Sequence, residues 1–251
     1  MTEDVGRAYI EHELPYVEAM SEGVQRLFPE VARNYELVNH AMTLGLDILW
    51  RRKTAQVAAN EGGGRWLDVC TGTGEMAIYL GRLARHETAV IATDFCLPMI
   101  RKATKKRDAR EIAFILADAK SLPFADNTFG LVTTSFATRN LNVNRRGLIE
   151  SFIEFHRILK PGGRFVSIET SQPPSWPIRK LFHLYVRLTV RPLGYLISRS
   201  RAAYAYLSNT VQRFYTADEL ADVMREAGFD QVSFRRLTLG AAAIHKAIKS
   251  G

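Results

Sequence analysis

Acidic residues are missing from one long stretch of this chain. Between Thr170 and Ala217 there is no Asp or Glu, while the same stretch holds Arg179, Lys180, Arg187, Arg191, Arg199, Arg201 and Arg213. Most of the formal net charge of +8 therefore sits in one segment of the 251 residues. Such a block fits a solvated basic face, an anionic membrane surface or nucleic acid. Cysteine is scarce too. Cys70 and Cys96 form no C-x-x-C and no Cys/His cluster, which excludes a zinc or dithiol motif and a disulfide scaffold and leaves two small thiols suited to a reducing compartment. No metal site is expected. No apolar run reaches membrane-spanning length. Residues 1–30 lack the apolar core of a secretory leader. The expectation is a cytoplasmic protein, free or peripheral on the inner face of a membrane.

What is present is an alternation of short apolar runs with helical periodicity. Residues 1–60 read as helical, with Leu44, Ile48 and Leu49 as a partial stripe. Glu61-Gly62-Gly63-Gly64 breaks the pattern. Strands are then expected at Arg65–Cys70, Ala89–Thr93, Ile112–Ala117, Phe129–Phe136 and Phe165–Glu169. Between them, Met76, Leu80 and Leu83 mark one helix, and Leu148, Phe152, Phe155 and Leu159 another, which Pro161-Gly162-Gly163 stops. A last helix over Ala217–Ala227 ends at Gly228, and Gln231–Leu237 and Ala241–Ile248 close the chain as strands. Strands alternating with helices argue for a mostly parallel sheet covered on both faces. The division expected is a helical segment over 1–60 that contributes to the active site, then one nucleotide-binding domain over 61–251 with a helical cap at about 172–214.

The sharpest local feature is Leu67-Asp68-Val69-Cys70-Thr71-Gly72-Thr73-Gly74-Glu75, between a strand and a helix. Glycine admits a ligand where a Cβ would clash, and the helix start offers free N–H groups. Asp94 ends the next strand, 20 residues after Gly74, where a carboxylate accepts hydrogen bonds from ribose hydroxyls. That much admits either NAD or S-adenosylmethionine. Three details favour the second. Position 77 is Ala rather than the third fingerprint glycine. Asp118 follows the third strand, placed for an adenine amino group. The Asp68-to-Gly74 spacing matches the D-x-x-x-G-x-G motif of Rossmann-like methyltransferases. The bland readings are that Asp68 only orients the loop and that Asp118 only forms a turn.

Beyond the cofactor loop, the residues resemble one family. Tyr35-Glu36-Leu37-Val38-Asn39-His40-Ala41-Met42-Thr43-Leu44-Gly45, running to Trp50-Arg51-Arg52, resembles the N-terminal signature of the ubiquinone/menaquinone biosynthesis C-methyltransferases. Arg157-Ile158-Leu159-Lys160-Pro161-Gly162-Gly163-Arg164, running to Glu169-Thr170-Ser171, resembles their second signature. Ser121–Phe129 and Ser135-Phe136-Ala137-Thr138-Arg139-Asn140 are similar as well. The resemblance implies a Rossmann-like class I methyltransferase fold of seven strands. It implies S-adenosylmethionine as cofactor, held at Thr73, Asp94, Asp118, Ala119 and Ser135; Asp68, Gly72 and Gly74 of the loop, with Phe95 next to Asp94, complete the candidate cofactor residues. It places Tyr35, Arg139 and Asn140 around the acceptor, a prenylated quinol. The departures are Glu36, Val38 and Thr43, where the family usually has Asp, Met and Ser, and Asp47, where it usually has His. Relatives are often homodimers, but no interface is legible.

The implied chemistry is methyl transfer to a ring carbon. Arg139 is expected to stabilise the developing phenolate and not to act as a base, because guanidinium stays protonated. Asn140 is expected to hold a ring oxygen, and Tyr35 to line the pocket or carry the proton. A structural ion pair is the bland reading of Arg139. His40, His183 and His245 are further candidate bases. In the acid-free segment, apolar residues such as Trp176, Leu181, Leu184 and Leu188 interleave with the cations. This suggests a cap that rests on anionic lipid, or else a plain helical cover. Competing functions are methylation of another small hydrophobic acceptor, an RNA-binding methyltransferase, and a silent subunit. No RNA-binding motif or amino-methylation signature is present, so no nucleic-acid partner is expected.

Overall fold

The computed structural model describes residues 35–59, 64–142, 144–198 and 208–251. The expectations for residues 1–34, for the breaker at 61–63 and for Arg199 and Arg201 fall outside these, as do the side chains of Arg191, Leu193, Leu196 and Ile197.

Seven strands form one sheet in the order β3-β2-β1-β4-β5-β7-β6. They are β1 (Gly64–Val69), β2 (Thr88–Asp94), β3 (Ala113–Leu116), β4 (Phe129–Ser135), β5 (Leu159–Thr170), β6 (Gln231–Leu237) and β7 (Ala242–Ile248). Strands β1 to β5 pair in parallel, and β7 runs antiparallel to both β5 and β6. The strand order reverses between β1 and β4. Beyond the carboxyl ends of strands, such a switch point opens a crevice that the neighbouring loops line.

The helices are α1 (Tyr35–Thr43), α2 (Leu46–Ala59), α3 (Glu75–Leu83), α4 (Leu97–Ala103), α5 (Thr138–Leu141), α6 (Arg145–Ile158), α7 (Trp176–Ser198) and α8 (Ala217–Glu226). Residues 208–213 are also helical. α2 and α3 cover one face of the sheet, where Trp50, Ala55, Met76 and Leu80 meet Trp66, Leu131 and Val166. α6 and α8 cover the other, where Leu148, Phe152, Phe155, Leu220 and Met224 meet Phe129, Phe165 and Phe229. Here the expected periodicity is correct: Leu220, Val223 and Met224 are all turned inward. Thr216 and Glu219 close a capping box at the start of α8, and Gly228, at φ 99°, takes the left-handed turn after it.

Three local expectations need correction. The stripe Leu44, Ile48 and Leu49 does not face the core. Leu44 sits in the turn between α1 and α2, and Leu49 is exposed, while the buried face of α2 is Asp47, Trp50, Arg51, Thr54, Ala55 and Ala58. Secondly, Pro161-Gly162-Gly163 does not end α6. The helix stops at Ile158, and Leu159 already pairs with Phe129. The glycines form a turn tied to the carboxyl terminus, with Gly162 N donating to Lys249 O and Lys249 N to Gly163 O. Thirdly, the strand ends are one residue tighter at Cys70 and Phe136, because both adopt left-handed backbone, φ 55° and 56°. Those two turns swing the chain over the end of the sheet.

α1 lies against α7. Val38 and Met42 pack on Val186, Val190 and Val211, and the Tyr185 hydroxyl donates to Met42 O at 2.6 Å. The last turn of α2 is held by Arg164 on β5, which donates from Nε and Nη2 to Ala58 O at 3.0 and 2.7 Å. Together these contacts hold α1 and α2 in place, with Tyr35 of α1 on the wall of the crevice.

Candidate active site

The loop after β1 is built around a buried carboxylate. Asp68 has no exposed surface. Thr71 Oγ1 donates to its Oδ2 at 2.6 Å and Thr133 Oγ1 to its Oδ1 at 2.8 Å. Burial pushes the carboxyl up to about 6 against those two hydroxyls. Asp68 therefore ties the loop to β4 from inside the protein and does not reach the crevice wall. Gly72 does. Its φ is 56°, it lines the crevice, and no atom lies within 4 Å of where a Cβ would stand. A side chain there would fill space that a ligand can use. Gly74, at φ 81°, serves packing instead, since a Cβ would meet Ala103 Cβ at 3.0 Å.

Asp94 closes the other side. Its Oδ2 accepts from Gly72 N and its Oδ1 from Cys96 N, both at 2.8 Å. Burial pushes its carboxyl up, and the two amides oppose that. Each oxygen keeps a lone pair for a ribose hydroxyl. The crevice measures about 500 Å³ and is lined by Tyr35, Cys70, Gly72, Asp94, Phe95, Met99, Ser135, Phe136, Ala137, Asn140 and Leu141. The Cys70 thiol on its wall is held protonated by burial and by the carboxylates of Asp94, Asp68 and Asp118. It is therefore a poor competitor for an electrophile. Thr73 is buried beside the loop and shares a smaller cavity with Tyr35, Arg51, Gly72, Glu75 and Ser135. Asp118 and Ala119 stand outside the crevice lining. Ala117 N donates to Asp94 O, which brings Asp118 to the same end of the sheet. There Asp118 is exposed and accepts from Lys120 N at 2.9 Å, as a turn former would.

A second cavity of about 390 Å³ lies on the far side of Tyr35 and Phe136, lined also by Asn39, Met42, Thr43, Asp47, Arg51, Arg139, Thr170 and Val211. Arg139 Nη1 donates to Glu169 Oε1 at 3.0 Å and to Thr170 Oγ1 at 3.3 Å, so the ion pair is present. Its buried Nε has no hydrogen-bond partner among the described residues. Asn140 points elsewhere. Consecutive residues of a helical turn diverge by about 100°, so Arg139 lines this cavity and Asn140 the crevice. Tyr35 lines both. Burial pushes its phenol up, and the Arg139 and Arg51 guanidiniums pull the other way without overcoming it, so Tyr35 is a donor.

Arg51, Glu75 and Glu169 were not among the expected site residues. Arg51 is 4% exposed, donates from Nη1 to Asp47 Oδ2 and from Nε to Ser135 Oγ, and lies 3.2 Å from Glu75 Oε2. Only the helical phase of Asp47 and Arg51, four residues apart, hinted that the two meet. The candidate bases separate. His40 contacts Asp47 and Glu75. His183 bonds Gln172. His245 is buried with Nε2 donating to Ala217 O at 2.8 Å, and burial lowers it to about 4. His245 is thus a structural pin between β7 and α8.

The family profile of ubiE/COQ5 methyltransferases matches residues 16–249. The chain belongs to that family. It is 37% identical over 234 residues to the ubiquinone/menaquinone biosynthesis C-methyltransferase of Desulfotalea psychrophila, covering 93% of each chain. It is likewise 37% identical to the demethylmenaquinone methyltransferase of Roseiflexus castenholzii, over 95% of this chain and 98% of that one. Among solved structures, a SAM-dependent methyltransferase of Thermotoga maritima superposes with a TM-score of 0.62 at 18% identity, over 90% of this chain and 100% of that chain. That last likeness supports the class I methyltransferase fold alone. As a family member the chain is a methyltransferase with S-adenosylmethionine as cofactor. The crevice suits it: an open Gly72, a carboxylate at the β2 end and an apolar wall at Phe95 and Met99.

Proposed function

We propose that this enzyme methylates a ring carbon of a prenylated quinol in menaquinone or ubiquinone biosynthesis, with a demethylmenaquinol favoured. The observation that carries the reading is Arg139 on the wall of the second cavity beside Tyr35, its guanidinium held in place by Glu169. Bound S-adenosylmethionine supplies an electrophilic methyl group, so the protein's tasks are alignment, exclusion of water and charge stabilisation. Gly72, Thr73, Asp94, Phe95 and Ser135 hold the cofactor, with Asp68 shaping the loop behind them and Asp118 and Ala119 at its adenine end. Arg139, fixed in place by Glu169, stabilises the phenolate oxygen left when the hydroxyl proton passes to water; after the methyl arrives the ring carbon gives up its own proton, and the phenol is reprotonated from water. Tyr35, on the wall shared by both cavities, donates to a ring oxygen. Asn140 orients the cofactor-side edge of the acceptor.

The N-terminal helices and the cap segment around 172–214 complete the acceptor cavity through Tyr35, Asn39, Met42 and Val211. α7 turns a second apolar stripe outward: Leu181, Leu184 and Leu188 are 67%, 48% and 66% exposed, with Lys180 and Arg187 beside them. Among the described residues no helix is long and apolar enough to cross a membrane. The stripe with its cations suits contact with an anionic lipid surface, from which a prenylated acceptor enters. The deciding experiment is transfer from labelled S-adenosylmethionine to a demethylmenaquinol and to a 2-methoxy-6-prenyl-benzoquinol in detergent. One methyl gained on ring carbon with either supports the assignment. No transfer to either, with cofactor bound, overturns it.

A further inference from the structure

A methyl group has to pass between the cofactor crevice and the acceptor cavity, so the residues at their boundary are those that would meet the reacting centre. The residues shared between the neighbouring cavities mark that boundary: Tyr35, Phe136 and Arg51. The Arg51 guanidinium meets two carboxylates, Asp47 on the acceptor side and Glu75 on the cofactor-loop side. His40 touches both, with Nδ1 at 2.9 Å from Asp47 and Nε2 at 3.6 Å from Glu75. Asp47 is 1% exposed. Burial pushes its carboxyl up, but Arg51 and the Thr43 hydroxyl more than offset this and hold it ionised. A charge buried this deeply is poorly screened.

We propose that Asp47 is a specificity-determining residue, whose buried carboxylate favours the cationic sulfonium cofactor over its neutral thioether product. S-adenosylmethionine and S-adenosylhomocysteine differ at the reacting centre by one methyl and one positive charge. Asp47 lines the acceptor cavity and is joined through Arg51 to the boundary, so its negative charge favours the first over the second and the product leaves more readily. Arg51 keeps the carboxylate in place, and its Nε bond to Ser135 Oγ at 3.0 Å locks the pair to the end of β4.

Discrimination between the two cofactor forms needs no acceptor, so its failure is distinct from failure of the acceptor assignment. The test is calorimetric titration of the full chain and its Asp47→Asn variant with three ligands. These are S-adenosylmethionine, S-adenosylhomocysteine and sinefungin, which carries an ammonium where the cofactor carries its sulfonium. The expected result is that the two cationic ligands weaken about tenfold while the thioether changes less than about twofold. A purely structural role weakens all three by one factor, and that result, or no change in any, overturns the proposal. If Asp47→Asn does not give a cooperative thermal transition, Asp47→Ser is titrated instead and read by the same ratio.

Discussion

Arg139 and Glu169 face each other across the end of β5, Nη1 to Oε1 at 3.0 Å, with both side chains buried. Glu169 Oε2 also accepts from Thr138 Oγ1 and from Arg139 N. The carboxylate therefore holds the backbone and the side chain of α5 together. An ion pair so enclosed is weak evidence for stability, because desolvation offsets the attraction. What it achieves is placement: Nη1 is engaged by Glu169 and Thr170, which holds the guanidinium at the wall of the acceptor cavity.

Arg139→Ala is therefore expected to lower kcat by at least about 100-fold. Cofactor affinity, measured by calorimetry, should stay within about threefold, since no crevice contact is lost. Near-normal turnover in this variant would assign Arg139 to structure alone.

Stability against pH has two opposed contributions. The folded-state carboxyl of Asp68 is raised from 3.8 to about 6. The native state thus binds its proton more tightly, and stability falls as pH rises through that window. His245 is lowered from 6.5 to about 4, so the unfolded state takes up its proton first, and stability falls as pH drops through that window. Between about pH 4 and 6 the two slopes oppose each other. Thermal melts of Asp68→Asn should reveal the histidine slope, and those of His245→Gln the opposite one. Parallel curves in both variants would refute the pairing.

The two loop glycines should separate binding from folding. Gly72→Ala places a Cβ in the crevice and is expected to weaken S-adenosylmethionine at least about tenfold, with a stability loss of about 1 kcal/mol for the left-handed backbone. Gly74→Ala meets Ala103 and is expected to cost about 2 kcal/mol in unfolding titrations, with the smaller effect on affinity.

For the outward stripe of α7, Leu181→Glu together with Leu188→Glu is expected to lower sedimentation with phosphatidylglycerol vesicles at low salt about tenfold or more. Activity on a detergent-dispersed acceptor should be unaffected. A wild-type homodimer that buries this stripe, without vesicle binding, would overturn the lipid reading.

The alternation of strands and helices, the glycine loop, Asp94 at the next strand end and the α6 and α8 core positions were legible in the sequence. Each follows from short-range periodicity or from turn chemistry that neighbouring residues impose. The family blocks led to Tyr35 and Arg139 in the same way, as residues in local motifs. The tertiary structure alone decided which face of α2 is buried, because its inward face carries Asp47 and Arg51 and hides the usual apolar signal. It alone paired Arg139 with Glu169, 30 residues apart, and sent Arg139 and Asn140 into different cavities. It also separated Asp68, which shapes the loop from within, from Gly72, which meets the ligand space. Local sequence specifies which groups a loop carries. Which of them face a ligand depends on contacts between segments that only folding brings together.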